Sequence, residues 1–387
     1  MRVLVTSISA LGHVHPMVPL ALALQGAGHT VRWLTGPDTS ERLERIGIDS
    51  IATGPAFEPL RDDYRRRYPG TASLPPREVP DHVFPHLFGE VCAAAMLPAV
   101  DRVVDDWRPD LVIHDAGELA APIAAARIGV PAVTHGFGAL TPRHRVAAAS
   151  EVVAPLWRSV GLTPRPFAGL YDSLYLDIYP PSLRTADMAH VPNRTSMRPV
   201  AFDDAGDAPA EPWLDANAGP EPLVYLTFGT MARDHSRLRI ALDAIAARRV
   251  RVLVTIGASG DPHVFGPQPD HVRIERYVPQ TQVLGQCEVV VSHAGSGTFL
   301  ATLARGVPQL CLPQMADQFL NTDACRASGS GLALDPADAT AEAIGTALDR
   351  LLTDASIRAR ARDLAAEIAA MPAPSDVVPR LEALAAR

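Results

Sequence analysis

The run Val289-Val290-Val291-Ser292-His293-Ala294-Gly295-Ser296-Gly297-Thr298 sets the tightest limit on how this chain folds. A short β-branched stretch followed at once by small residues predicts a buried strand ending in a tight turn. A helix-like pattern follows, with Phe299, Leu300 and Leu303 as its apolar positions. Such a turn presents free backbone N–H groups at the positive end of a helix dipole, which suits a phosphate. Gly295 and Gly297 would let the backbone approach the anion. Ser296 and Thr298 add hydroxyl donors, and His293 a ring N–H. Taken alone, the turn reads equally well as a plain strand-to-helix connection.

Two neighbouring segments shift that balance. Tyr277-Val278-Pro279-Gln280 precedes the strand, and Asp317-Gln318 follows the next strand-like run, Gln309 to Leu312. Asp and Gln side by side at a strand's C-terminal end supply acceptors and donors suited to sugar hydroxyls. Together the three segments resemble the donor-binding signature of family 1 glycosyltransferases, nucleotide-sugar-dependent enzymes of the GT-B fold. The family pattern runs Trp/Tyr-x-Pro-Gln, His-x-Gly-x-Gly-Thr, Asp-Gln. The resemblance implies an α/β protein of two Rossmann-like doubly wound parallel-sheet domains facing across a cleft, with a C-terminal helix crossing back to the first domain. It also implies that Tyr277 stacks on the nucleotide base and that Val278 backbone groups read its edge. His293, Gly295, Ser296, Gly297 and Thr298, with the Gly229-Thr230 loop, would hold the diphosphate, and Asp317 and Gln318 the sugar. For Tyr277, core packing beside Pro279 is an equally open reading.

Ala301 departs from the family pattern. Members that use UDP-sugars usually carry Glu there, bonded to the ribose hydroxyls. Its absence points to a dTDP-sugar, whose deoxyribose lacks the 2′-hydroxyl.

The remaining sequence narrows the class. The 387 residues suffice for two domains. A hydrophobic share of 47% and a charged share of 20% fit a globular protein. Net charge is −8 and no Lys occurs, so nucleic acid is not the expected partner. Arg65-Arg66-Arg67 reads as a solvated run in a loop. Cys92, Cys287, Cys311 and Cys325 form no paired motif and read as buried thiols in a reducing cytosol. His13, His15 and Pro16 break the apolar N-terminus, so no signal peptide is expected. No stretch reads as long and apolar enough to span a membrane. A cytoplasmic protein is expected, with homodimerisation left open.

In chain order, Arg2 to Ser7 reads as a strand, and Pro16 opens a helix carrying Val18, Leu20, Leu22 and Leu24. His29 to Leu34 is the next strand, completing a Rossmann-type opening. Asp110 to His114 is a further strand, followed by a helix from Leu119 to Arg127 and a strand from Val130 to Thr134. Residues 55–90 and 136–185 show weaker periodicity and read as insertions beyond the strand ends. The segment 203–222 is rich in Pro, Asp, Ala and Gly and reads as a linker. The strand–loop–helix rhythm restarts at Leu223 to Phe228 and Arg251 to Ile256. The predicted domains are therefore 1–202 and 223–370. Ala341 to Ala370 reads as helical, and a last helix in 371–387 is expected from Asp376 with Ser375 as its cap.

Gly12-His13-Val14-His15-Pro16 resembles the family's Gly-His-x-x-Pro motif, which places the catalytic base at His13. A His in a loop before a helix feels the positive dipole end, which favours its neutral form. Neutral imidazole can take a proton from an acceptor hydroxyl. His15 is the rival base. Asp115, at the C-terminal end of the Leu111 to His114 strand, is the expected orienting carboxylate, and Glu118 the fallback. Capping the Leu119 helix is the lesser alternative for Asp115. Phe84, Phe88, Phe137, Tyr171 and Tyr175 are candidate acceptor walls, although aromatics there also serve as local core.

The expected reaction is an inverting transfer of a sugar to a small-molecule hydroxyl, with a nucleotide-sugar co-substrate and neither metal nor other cofactor. Two rivals stay open. A nucleotide-sugar 2-epimerase would not need His13 in its motif. A non-catalytic nucleotide-sugar-binding homologue, or an activator of a partner transferase, should lose the His–Asp pair or the diphosphate turn.

Overall fold

The computed structural model describes residues 1–184, 187–203, 212–214, 219–229, 236–257 and 260–386. The chain forms two compact units. The first comprises Met1–Tyr179, Thr185–Phe202 and Met371–Arg387, and the second Pro180–Arg184 and Asp203–Ala370.

The first unit is built on seven parallel strands: β1 (Arg2–Thr6), β2 (Thr30–Leu34), β3 (Asp49–Ile51), β4 (Leu111–Asp115), β5 (Ala132–His135), β6 (Leu174–Asp177) and β7 (Arg194–Ser196). Their order is β3-β2-β1-β4-β5-β6-β7. Helices cover both faces, so the central strands read as continuous apolar runs rather than alternating ones. Every residue of β4 is buried. The order reverses between β1 and β4, and ligands of such sheets bind beyond the strand ends at that switch point.

Several expectations for this unit are corrected. Helical backbone begins at Leu11 and continues through His15–Met17 into Val18–Gly26, so His13 sits in a first helical turn rather than in a loop. Residues 55–90 are largely helical. Phe57–Arg67 buries only Tyr64, and its weak apolar pattern hid it. Close pairs such as Glu58–Arg61 and Asp62–Arg65 support it instead. Arg65, Arg66 and Arg67 are its exposed last turn, not a loop. Residues 136–185 hold the helix Arg143–Ser159 and strand β6.

A continuous helical run, Val79–Trp107, is long and apolar enough to cross a membrane, contrary to expectation. Its apolar side is spent on protein: Met96, Leu97, Val100 and Val104 lie in the core with Ile123, Val146 and Trp157.

The C-terminal helix, Pro374–Ala385, packs on Val18–Gly26 within the first unit. It buries Val377, Val378 and Leu381. Its start is not capped by Ser375. Pro374 takes the first helical position, and Asp376 accepts from the Ala373 N–H at 2.8 Å.

The second unit carries six parallel strands: β8 (Leu223–Thr227), β9 (Arg251–Thr255), β10 (Val272–Glu275), β11 (Val289–Ser292), β12 (Gln309–Cys311) and β13 (Gly331–Ala333). Their order, β10-β9-β8-β11-β12-β13, reverses between β8 and β11. Most of the expected linker, 204–211 and 215–218, lies outside the described residues. Within it, Leu214 is buried against Leu223, Val278 and Ala301. The helical stretch expected from Ala341 to Ala370 is two helices, Ala341–Thr353 and Ala355–Ala370, broken at Asp354.

Candidate active site

In the first unit the site grows from the two strand ends flanking the switch point. β1 leads into the helical turn bearing His13, and β4 ends on Asp115. These residues stand 102 positions apart, yet His13 Nδ1 lies 2.9 Å from Asp115 Oδ1. Asp115 is fully buried and accepts two further bonds, from the Ile8 N–H at 2.8 Å and the Gly117 N–H at 2.6 Å. A buried carboxylate needs such donors to remain charged. With Nδ1 turned to the carboxylate, Nε2 is the nitrogen left to take a proton.

Asp115 does not cap the next helix, Ala121–Ile128. Glu118 serves there, accepting from the N–H groups of Ala120 at 2.9 Å and Ala121 at 3.1 Å. Burial pushes its carboxyl up to about 7. His15 packs edge-on against Phe202, with ring centroids 5.5 Å apart.

Aromatic rings surround His13. The Phe137 centroid lies 4.9 Å from the imidazole, Phe88 5.5 Å and Phe57 6.4 Å. All three rings are half-buried. Phe84 is buried one ring further back, 5.7 Å from Phe88. Tyr171 and Tyr175 are core residues rather than walls, packed edge-to-face on each other. Tyr175 alternates on β6 with residues facing the opposite layer, and its position is 1% exposed.

Sequence reasoning missed Phe57 and Gly117. Phe57 lay in a stretch read as loop. A Cβ on Gly117 would stand 3.0 Å from Asp115 Oδ1 and 3.1 Å from His13 Cε1, so any side chain there would press on the pair. The Asp-Ala-Gly-Glu run held that signal.

In the second unit the turn after β11 leads into the helix Ser296–Ala304 with Gly295 at its cap position. Ala294 adopts a left-handed φ of 63°, and its carbonyl accepts from Asn321 Nδ2 at 2.9 Å. His293 lies between two glycines. A Cβ on Gly229 would meet its Cε1 at 2.8 Å, and one on Gly295 its Nε2 at 2.5 Å. Gly295 therefore gives room to the histidine ring. A Cβ on Gly297 would meet nothing within 4 Å. Burial lowers the His293 pKa against the opposing pull of the Asp317 carboxylate.

Asp317 and Gln318 are partly committed to the protein. Asp317 Oδ2 accepts from the Ser296 N–H at 3.1 Å and from the Ser296 hydroxyl. Gln318 Oε1 accepts from the N–H groups of Gln314 at 2.7 Å and Met315 at 3.0 Å. The pair thus fixes the turn and its own loop. The motif glutamine Gln280 donates to Thr298 Oγ1 at 3.0 Å, tying the Tyr277 segment to the turn. Tyr277 is 49% exposed, whereas Val278 is buried. Ala301 packs in the same apolar cluster as Val278. Thr230 lies outside the described residues.

Solved structures similar to this chain are glycosyltransferases. VinC in complex with dTDP aligns over all of both chains at a TM-score of 0.82 and 26% identity. The spinosyn rhamnosyltransferase SpnG complexed with thymidine diphosphate aligns at 0.82 and 28%, over 99% of this chain and all of the other. This architecture is the GT-B fold.

Residues 22–229 and 239–384 match the N- and C-terminal domains described as erythromycin biosynthesis protein CIII-like. The L-demethylnoviosyl transferase of Streptomyces niveus is 36% identical over 99% of this chain and 98% of its own. The 10-deoxymethynolide desosaminyltransferase of Streptomyces venezuelae is 29% identical over 100% and 98%. The chain belongs to this EryCIII-like family of bacterial antibiotic-type glycosyltransferases, which transfer sugars to small-molecule acceptors.

Proposed function

We propose that this enzyme is an inverting, metal-independent glycosyltransferase that moves a sugar, a deoxysugar by preference, from a dTDP-sugar to a hydroxyl of a small-molecule natural product. The observation that carries the reading is the 2.9 Å contact between His13 Nδ1 and the buried, triply bonded Asp115 carboxylate. His13 Nε2 takes the acceptor proton as the oxygen attacks the anomeric carbon opposite the nucleotide. Asp115 stabilises the imidazolium that forms. Phe57, Phe88 and Phe137 bring apolar acceptor surface against the base.

The leaving dTDP gains charge as the glycosidic bond breaks. The N–H groups of Gly297 and Thr298 and the His293 ring would receive that charge, so the leaving group needs no metal or other cofactor. Tyr277 stacks on thymine and Val278 reads its edge. Asp317 Oδ1 and the Gln318 amide nitrogen take no intrachain bond among the described residues, and they would hold sugar hydroxyls. Ala301 offers the ribose no carboxylate, consistent with a deoxyribose. The dTDP and thymidine diphosphate complexes of VinC and SpnG support that donor class.

The test is nucleotide release from dTDP- and UDP-sugars with an aromatic glycoside acceptor and chelator present. Release should need the acceptor, favour dTDP and fall about 10²–10⁴-fold in His13→Ala. Equal or better turnover of UDP-sugars would remove the donor assignment.

A further inference from the structure

Glu118 is buried, carries chemistry-bearing oxygen atoms and has no part in the proton transfer just described. Its position explains it. The residue is 1% exposed, and its carboxylate accepts three donors. Oε2 accepts from the Thr6 hydroxyl at 2.7 Å and the Ala121 N–H at 3.1 Å, while Oε1 accepts from the Ala120 N–H at 2.9 Å. Thr6 is the last residue of β1, and the chain runs from it through Ile8 to His13. Ile8 in turn donates to Asp115. The Glu118 N–H bonds the Asp115 carbonyl at 3.0 Å, closing the four-residue turn that carries Asp115.

We infer that Glu118 is a positioning residue for the His13–Asp115 pair, tying the end of β1 to the turn after β4 so that base and carboxylate stay in register. The inference rests on His13 being the base. Glutamate suits the task because one group must receive a strand-end hydroxyl and two helix N–H groups at once. An amide offers only one acceptor atom and leaves part of this set unmet. A small displacement of catalytic groups has large kinetic consequences.

Asp115, His114 and Cys92 are the titratable groups facing Glu118, from its own turn, β4 and the Val79–Trp107 helical run, and His13 lies beyond Asp115. Burial raises the Glu118 carboxyl to about 7, so it is largely protonated through the acid range and Glu118→Gln changes little charge there. The acid limb of the rate profile should therefore stay in place in that variant, and the loss should fall on kcat.

The experiment compares full-length wild type with Glu118→Gln, Thr6→Val and His13→Ala, reading kcat, both KM values and the pH profile per folded molecule. Glu118→Gln should lower kcat about 10- to 100-fold above pH 7 with both KM values held, and leave the acid limb in place. Thr6→Val keeps the shape, loses the bond to Glu118 and should lower kcat by a smaller factor without moving the limb. It remains informative if Glu118→Gln folds poorly. Wild-type kcat in both variants, or a loss that falls on KM rather than on kcat, would overturn the inference. Activity persisting in His13→Ala would instead strike the base assignment beneath it.

Discussion

Each unit carries its candidate residues at the same topological position, and the two sets are built in opposite ways. In the first unit the His13–Asp115 pair comes from residues 102 apart, joined because β1 and β4 are neighbours in the sheet. In the second unit the turn 293–298 is nearly contiguous, braced by Gln280, Asp317 and Asn321 from adjoining segments. The first half depends on buried side-chain charge held by backbone N–H groups. The second depends on backbone shape, with glycine making room for a histidine ring. The difference teaches where each half is fragile: charge chemistry in one, sterics in the other.

The largest effect should come from breaking the charge in the first half. Asp115→Asn keeps the volume but loses one acceptor atom and presents an NH2 to groups that are already donors. Its amide no longer fixes the His13 tautomer, and kcat should fall about 10²–10⁴-fold with nucleotide affinity unchanged. Gly117→Ala is the steric counterpart. Its Cβ would crowd both partners, so kcat should fall about 10- to 100-fold. A Gly117→Ala enzyme with wild-type kcat would show that the pair tolerates displacement and that the contrast between the halves is overdrawn.

The second half is sharpened by a pair of glycine substitutions. Gly295→Ala meets His293 Nε2 at 2.5 Å and should weaken nucleoside diphosphate binding about tenfold, or about 1.4 kcal/mol. The backbone φ of −61° accepts alanine, so displacement of the ring is the cause. His293→Ala should therefore absorb most of the penalty in the double mutant. Gly297→Ala meets nothing in the free protein and should leave its stability unchanged or higher, since alanine favours a helix. Calorimetric titration with dTDP reads both variants. Weaker binding by Gly297→Ala alone would restore close anion approach as the role of that glycine.

The same contrast governs what the sequence disclosed. The turn after β11 was legible because strand, glycines and helix are consecutive, and the Asp317-Gln318 and Tyr277–Gln280 segments lie close by. The roles were less legible. Gly295 read as an anion contact, and the structure adds that it gives room to the His293 ring, which a linear pattern does not display. Asp317 read as a free sugar ligand, yet one of its oxygens braces Ser296. His13 and Asp115 were found through motif and strand-end logic, but Phe57 was not. Its helix, Phe57–Arg67, buries a single residue and is held by ion pairs, so apolar periodicity could not announce it. Tyr175 failed the other way: an aromatic in an apparently irregular insertion proved to belong to a buried strand.

The contrast extends to stability against pH in the first unit, where buried titratable groups oppose one another. Burial lowers His114 and His135 to about 4 and raises Glu118 to about 7. For each histidine the unfolded chain binds a proton between pH 6.5 and 4 that the native chain refuses. That stability is present above 6.5 and lost as pH falls. For Glu118 the native chain holds the proton more tightly between 4.5 and 7, so stability is present below 4.5 and lost as pH rises. Acidifying from 6.5 to 4.5 thus sets two losses against one gain, a net loss on the order of 3 kcal/mol at most. Glu118→Gln removes the opposing gain and should steepen that loss. Hydrogen exchange of the β4 and β5 amides at pH 7 and pH 5 reads it locally. A shallower acid loss in Glu118→Gln than in wild type would mean that Glu118 is already ionised in the native protein at acid pH.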